Sequence, residues 1–327
     1  MQALIQSIGI YVPSKRVSND ELAKTIDTTD EWIVSHTGIR YRHFAAEDEA
    51  ASDLGVNASK IALERAGLKP EDIDMVLVTS SSGDYPDFPS TACIIQDKIG
   101  AKNAGAVDML AGCTGFIYAL ETAKNYILAG SAKNILVIGT EILTRVTNWK
   151  DRNTCVLFGD AAGAVVVQAG EDGNRGIKTS VLRSDGSGAD YLLRKAGGSR
   201  NPFKPGETDP TDLLLYMDGR RVYNFAVKVI IDTINTLLKN NNMTIDDIKY
   251  IVPHQANRRI IEAAAKRSKI PVEKFFMVID EYANTSTASI PLALHTLVEK
   301  GLLKKGDPII TVGFGAGLTY GGNLIYW

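Results

Sequence analysis

The second half of this chain repeats the first at a nearly constant distance. PEDIDMVLVTS, beginning at Pro70, lines up with IDDIKYIVPHQ, beginning at Ile245, an offset of 175. ILAGSAKNILVIG, from Ile127, lines up with GLLKKGDPIITVG, from Gly301, and YALET, from Tyr118, with LALHT, from Leu292, both at an offset of 174. One such match is what any two helix-turn-strand units would give; three in order at one spacing mark a duplication. Within the first half, helical periods alternate with short β-branched runs: ASKIALERAGL and ACIIQDKIG read as helices, DMVLVTSS and NILVIGTE as strands. That alternation predicts α/β layers. The halves are placed at residues 1–172 and 173–327.

The repeat makes one corner informative. In VDMLAGCTGFIYALETA, Cys113 stands between a run that reads as a strand and one that reads as a helix, and the offset of 174 sets Thr287 opposite it. A thiol at a helix N-terminus meets free N–H groups and the positive end of the helix dipole, both of which favour thiolate. A lone cysteine is more often a small buried apolar residue, and this motif alone leaves both readings open. His254 ends the strand in IVPHQANRRI, at the position matching Thr79, and strand ends of open α/β sheets are where ligands gather. Asn284, in EYANTSTAS, precedes the helix that mirrors the one after Cys113. Taken singly, His254 reads as a hydrogen-bonded structural residue and Asn284 as a cap or turn residue; a pseudo-twofold packing would gather Cys113, His254 and Asn284 at one place.

Composition narrows the partners. A formal net charge of -2 with 23% charged residues carries no polyanion-binding bias, which argues against nucleic acid. The start, MQALIQSIGIYVPSKRV, lacks the pattern of a secretory signal, and no run approaches the ~18 apolar residues of a membrane span. Three cysteines without a CxxC pair suggest neither a disulfide framework nor a metal site, and a reducing cytoplasm fits best.

TTDEWIVSHTGIR, GCTGF, FGDAAGA, VPHQANRRII, ANTSTASIP and GFGAGLTYGG, in order along essentially the whole chain, resemble the β-ketoacyl-acyl-carrier-protein synthase III family of the thiolase superfamily. The resemblance implies a five-layered αβαβα fold of two duplicated halves, a homodimer, and Cys113, His254 and Asn284 as the catalytic set. It implies an acyltransferase of fatty-acid biosynthesis that needs no cofactor and uses a coenzyme A thioester as substrate. Acyl-CoA loads Cys113, malonyl-acyl carrier protein loses carbon dioxide, and the resulting carbanion attacks the acyl group. The N–H groups of Cys113 and Ala316 would form the oxyanion hole, with Ala316 where a glycine is common. His254 and Asn284 would hold the enolate-like oxygen.

Substrate-binding positions carried over by the resemblance are Thr28, Trp32, Arg152, Asn257, Phe88 and Phe314. Trp32 and Arg152 would sandwich adenine, and Phe88 would close the partner's acyl pocket across the dimer. Gln255, Arg258, Arg259, Lys266 and Arg267 would meet the acidic carrier protein, although a solvated helix face explains the charges as well. The chain departs from the family pattern at His36, where Arg is frequent, and at Asn224, where Lys is frequent, with Lys228 one turn on. Arg194–Pro210 reads as a surface loop. The synthases I and II carry His where Asn284 stands, and thiolases carry a second cysteine that GFGAGLTYGG lacks. A synthase-III-like acyltransferase of secondary metabolism and a non-catalytic carrier-binding scaffold are the alternatives.

Overall fold

The computed structural model covers residues 1–327 and shows two sheets with helices on both faces of each. The first sheet runs, from edge to edge, Gln2–Tyr11, Asp160–Gly170, Asn134–Ile142, Met75–Thr79 and Gly105–Asp108. The second runs Gly176–Ser184, Thr319–Tyr326, Pro308–Gly315 and Tyr250–Pro253. Written in this direction the two orders and their parallel and antiparallel pairings coincide strand for strand. The fifth strand of the second sheet is reduced to one parallel bridge, Ile251 to Phe275, where the first sheet pairs Met75–Val78 with Gly105–Asp108.

Local caps repeat with the sheets. Pro70–Asp72 and Ile245–Asp247 are both short 3-10 turns, and each is closed by its last aspartate, which accepts from Lys69 N at 2.8 Å and from Thr244 N at 2.7 Å. Gly112–Thr114 and Ser286–Ala288 are the matching turns at the other end of each unit, and they lead into the helices Gly115–Leu128 and Ser289–Glu299.

Strand alternation explains the layers. Leu77, Ile135 and Val137 face the middle of the molecule, while Val76, Val78, Leu136 and Ile138 face the outer helices Ala51–Ala66 and Thr91–Ile99. In the second sheet Ile309 and Ile325 face the middle, and Ile310, Val312 and Leu324 face Gly219–Asn240 and Arg258–Ser268. Such sheets are apolar on both faces, which is why their strands read as near-continuous hydrophobic runs. Phe116, Leu120 and Ile127 with Ile290, Leu294 and Leu297 fill the layer between the sheets. The result is five layers, helix, sheet, helix, sheet, helix. No helix is long and apolar enough to cross a membrane.

Two small antiparallel strand pairs lie outside the layers: Lys15–Ser18 with Tyr41–Phe44, and Leu192–Arg194 with Leu215–Met217. The second carries the exposed loop expected after Arg194, and Leu215 N donates to Val146 O at 2.8 Å, so this strand pair of one half is tied to the other.

Candidate active site

Two glycines bring the nucleophile's turn against the C-terminal loop. Gly112 has φ +51°, which only glycine adopts freely, and a Cβ there would lie 2.7 Å from the Ala316 nitrogen. A side chain at Gly315 would run into the Cys113 nitrogen. With both absent, the backbones of Cys113 and Ala316 come together, and neither N–H has a hydrogen-bond partner within the protein. Two free donors side by side next to a thiol are what an oxyanion requires.

His254 follows the strand Tyr250–Pro253 and is 2% exposed. Its Nδ1 lies 2.7 Å from Ser289 Oγ, the first residue of the helix Ser289–Glu299. The Ser289 hydroxyl accepts from Gln255 N at 3.2 Å and finds no acceptor for its own hydrogen other than His254 Nδ1, an arrangement that places the imidazole proton on Nε2. Burial pushes the His254 pKa down to about 3, which keeps the ring neutral and its Nε2–H a donor. Asn284 is fixed at three points. Its N donates to Leu157 O at 2.9 Å, its O accepts from Gly159 N at 3.1 Å, and its Oδ1 accepts from Ser286 N at 2.9 Å. That leaves the amide Nδ2 as the free end.

Cys113, His254 and Asn284 line one cavity of about 640 Å³, with Phe314 and Ala316. Trp32, His36, Asn257 and Arg259 line the same cavity, and most of the remaining wall is apolar. Its residues come from both repeats, so the duplication creates the site. The helix N-terminus that favours a Cys113 thiolate is opposed by desolvation. The thiol is half-buried in the cavity wall, and desolvation pushes its pKa up to about 12, with Ser286 opposing this in part and the charge of Glu141 adding to it.

The binding positions divide. The Arg152 guanidinium sits 4.8 Å over the Trp32 ring, with Nη1 donating to Asp27 O, and His36 stacks on the same indole at 4.4 Å. His36 Nδ1 is held by Trp32 O at 2.7 Å. Asn257 caps the helix Arg258–Ser268 through Arg259 N and donates to His36 O. Thr28 does not line the cavity, and its buried Oγ1 has no partner. Phe88 is 85% exposed and lies outside this chain's own cavity.

Gln255 is corrected. It is 1% exposed and spends its amide on Pro253 O, Phe276 O and Val278 N, so it holds the His254 turn from within and cannot meet a carrier protein. Arg258 lies half-buried against Gly38, whereas Arg259, Lys266 and Arg267 are exposed. The sequence reading missed Ser289, Ser286 and Glu141. The run of hydroxyls in ANTSTAS and the lone acid in the strand NILVIGTE were the available signals.

A family profile described as 3-oxoacyl-[acyl-carrier-protein] synthase III matches residues 107–186, and its C-terminal counterpart matches residues 238–327. A beta-ketoacyl-[acyl-carrier-protein] synthase III of Caldanaerobacter subterraneus subsp. tengcongensis is 49% identical over 323 residues, 99% of this chain and 97% of that protein. The chain belongs to the 3-oxoacyl-[acyl-carrier-protein] synthase III family. Among solved structures, the synthase III of Aquifex aeolicus VF5 superposes with a TM-score of 0.91 at 39% identity, covering 99% of this chain and all of that one. The priming β-ketosynthase of the R1128 polyketide pathway superposes with a TM-score of 0.91 at 37% identity, covering 99% of this chain and 96% of that one. Members of this family are condensing acyltransferases, and the five-layered thiolase-like fold is theirs.

Proposed function

We propose that this chain starts fatty-acid synthesis by condensing an acyl-CoA primer with malonyl-acyl carrier protein through an acyl group on Cys113. The observation that carries the reading is one cavity in which a thiol meets two separate pairs of donors. The first pair, the Cys113 and Ala316 N–H groups, suits the tetrahedral oxyanion of acyl transfer. The second, His254 Nε2–H and Asn284 Nδ2, suits the enolate oxygen left when the malonyl group loses carbon dioxide. A neutral imidazole and an amide donate without competing for the substrate's proton.

In this reading residues 1–172 supply the nucleophile and residues 173–327 the second donor pair. Trp32, Arg152 and Asn257 take the coenzyme A end at the cavity rim; Arg152 must swing off the indole for adenine to enter between them. Arg259, Lys266 and Arg267, with Lys228 on the neighbouring helix, form the face offered to an acidic carrier protein. The protein works as a homodimer. Gly105–Asp108 is an unpaired sheet edge, and Phe88, Leu110, Tyr85 and Val107 expose apolar surface beside it, which a second copy would cover.

The test is product analysis with purified protein, acyl-CoAs of several lengths and malonyl-acyl carrier protein. The expected product is 3-oxoacyl-acyl carrier protein with release of carbon dioxide. Esters, amides or decarboxylation-independent products would assign the chain to the specialised acyltransferase reading, and no turnover with any donor would assign it to a scaffold.

A further inference from the structure

The turn that carries Cys113 and the loop that carries Ala316 belong to different halves of the chain, and their two N–H groups must be held in register to serve one oxyanion. Gly112 and Gly315 permit the approach, but without side chains they cannot hold it. One hydroxyl spans the junction. Thr319 opens the strand Thr319–Tyr326 just past Ala316, and its Oγ1 lies 2.7 Å from Ala111 O, 2.9 Å from Thr114 Oγ1 and 3.2 Å from Ala316 O. Ala111 and Thr114 bracket Cys113, and Ala316 supplies the other free N–H. Gly317 leaves room for this side chain, since a Cβ there would come within 2.9 Å of Thr319 Cγ2.

The hydrogens can be assigned. Both carbonyls only accept, so the single Thr319 hydroxyl hydrogen goes to Ala111 O, the nearer of them. Thr114 then donates to Thr319, its one side-chain partner. Thr114 is 0% exposed at the N-cap of the helix Gly115–Leu128, yet its side chain makes no cap hydrogen bond. A threonine there ordinarily accepts from an N–H of the first turn; this one has helical backbone angles, φ −85° and ψ −7°, and spends its hydroxyl on Thr319. Ala111 O also accepts the Thr114 N–H at 3.2 Å, so the turn around Cys113 is closed by its own backbone and again by Thr319.

We propose that Thr319, with Thr114 as its donor, is a positioning residue that sets the Cys113 and Ala316 N–H groups against one another for acyl transfer. The inference rests on the acyl-Cys113 reading above. The hydrogen-bond chain from Thr114 through Thr319 to Ala111 grips the nucleophile's turn on both sides of Cys113. The backbone of Thr319 pairs with Gly315, the residue before Ala316, so the same side chain is anchored to the loop that bears the second donor. The turn cannot slide against the loop without breaking that chain. Small slides matter, because a donor stabilises the tetrahedral oxyanion only at hydrogen-bond distance from where that oxygen forms. Thr319 lines the cavity, but its hydrogen is spent on Ala111 O, so it acts through the two N–H groups and not on the substrate.

The experiment compares the full-length protein with Thr319→Val, Thr319→Ser, Thr114→Val and the double valine variant. Acylation of Cys113 by acetyl-CoA is measured in a single turnover. Alkylation by iodoacetamide reports the same thiol in a reaction that forms no oxyanion, and carbon dioxide release from malonyl-acyl carrier protein reports the His254 and Asn284 donors. Thr319→Val keeps the shape and removes the hydroxyl, and it is expected to slow acylation by about 10–10²-fold while alkylation and carbon dioxide release stay at the wild-type rate. Thr319→Ser should restore most of the loss. Thr114→Val should slow acylation in the same selective way, and the double variant should be no slower than Thr319→Val, because both changes break one chain. Wild-type acylation in Thr319→Val would overturn the inference. So would an equal fall in alkylation or carbon dioxide release, which would mark a general loss of structure, or losses that multiply in the double variant. If Thr319→Val does not fold, the same comparison in Thr114→Val decides. Absence of acylation in the wild-type protein would instead overturn the proposed function, and this inference with it.

Discussion

The proton inventory around His254 ties its chemistry to its surroundings, because Ser289 supplies Nδ1 with a hydrogen and burial keeps the ring uncharged. Removing His254 or Asn284 should therefore harm the step that needs their donors. Decarboxylation is expected to fall by about 10²–10³-fold in His254→Ala or Asn284→Ala, with acylation of Cys113 by acyl-CoA affected far less; equal loss in both half-reactions, measured separately, would contradict the assignment. Burial of the ring also has a consequence for stability. The folded pKa of about 3 lies below the ordinary 6.5. The unfolded chain thus takes a proton that the folded one refuses, so this contribution is fully present above 6.5 and is lost as the pH falls toward 3. Urea unfolding between pH 7 and 4 should show a shallower acid loss in His254→Gln, by up to about 1.4 kcal/mol per pH unit. Identical slopes would mean that His254 is charged in the folded state.

Elements were legible in the sequence where their period was regular, and their meeting points were not. The helix Thr91–Ile99 and the strands Met75–Thr79 and Asn134–Ile142 fall where their apolar spacing places them, whereas the helix Ala51–Ala66 begins well before the period read from Ala58. Cys113, His254 and Asn284 stood out in the sequence because each ends or begins such an element, and the structure brings them to one cavity. Gln255 was misplaced since a glutamine beside a polar loop looks solvated, and only the fold reveals the three backbone partners that hold it inside. The raised pKa of Cys113 was equally hidden, because a helix N-terminus is visible in sequence and the packing over it is not. The touching turns make their own prediction. In Gly315→Ala the new methyl meets the Cys113 nitrogen, so acyl loading should fall at least about 10²-fold by loss of the oxyanion geometry. Retention of the wild-type burst of coenzyme A release would show that the loop yields without moving the donors.

Duplication explains the whole molecule: two related sheets enclose two related helices, and the turns that open those helices carry the nucleophile and lie beside Asn284. The spacing of 174–175 residues announced this, whereas the shrinkage of the fifth strand to one bridge in the second half did not show in the sequence, because a single pairing leaves no period. The asymmetry leaves Gly105–Asp108 as the open edge with Phe88 beside it. Phe88→Asp is accordingly expected to shift the protein toward monomer in sedimentation and to change which acyl length is preferred; an unchanged dimer with unchanged preference would place Phe88 outside the interface. The central claim, a cysteine that carries the acyl group between two donor pairs, is tested most directly by intact-protein mass and peptide mapping after incubation with acyl-CoAs. One acyl group on Cys113, discharged by malonyl-acyl carrier protein, is the predicted result. No adduct from any acyl-CoA, or an adduct on Cys93 or Cys155 with Cys113 free, would contradict it.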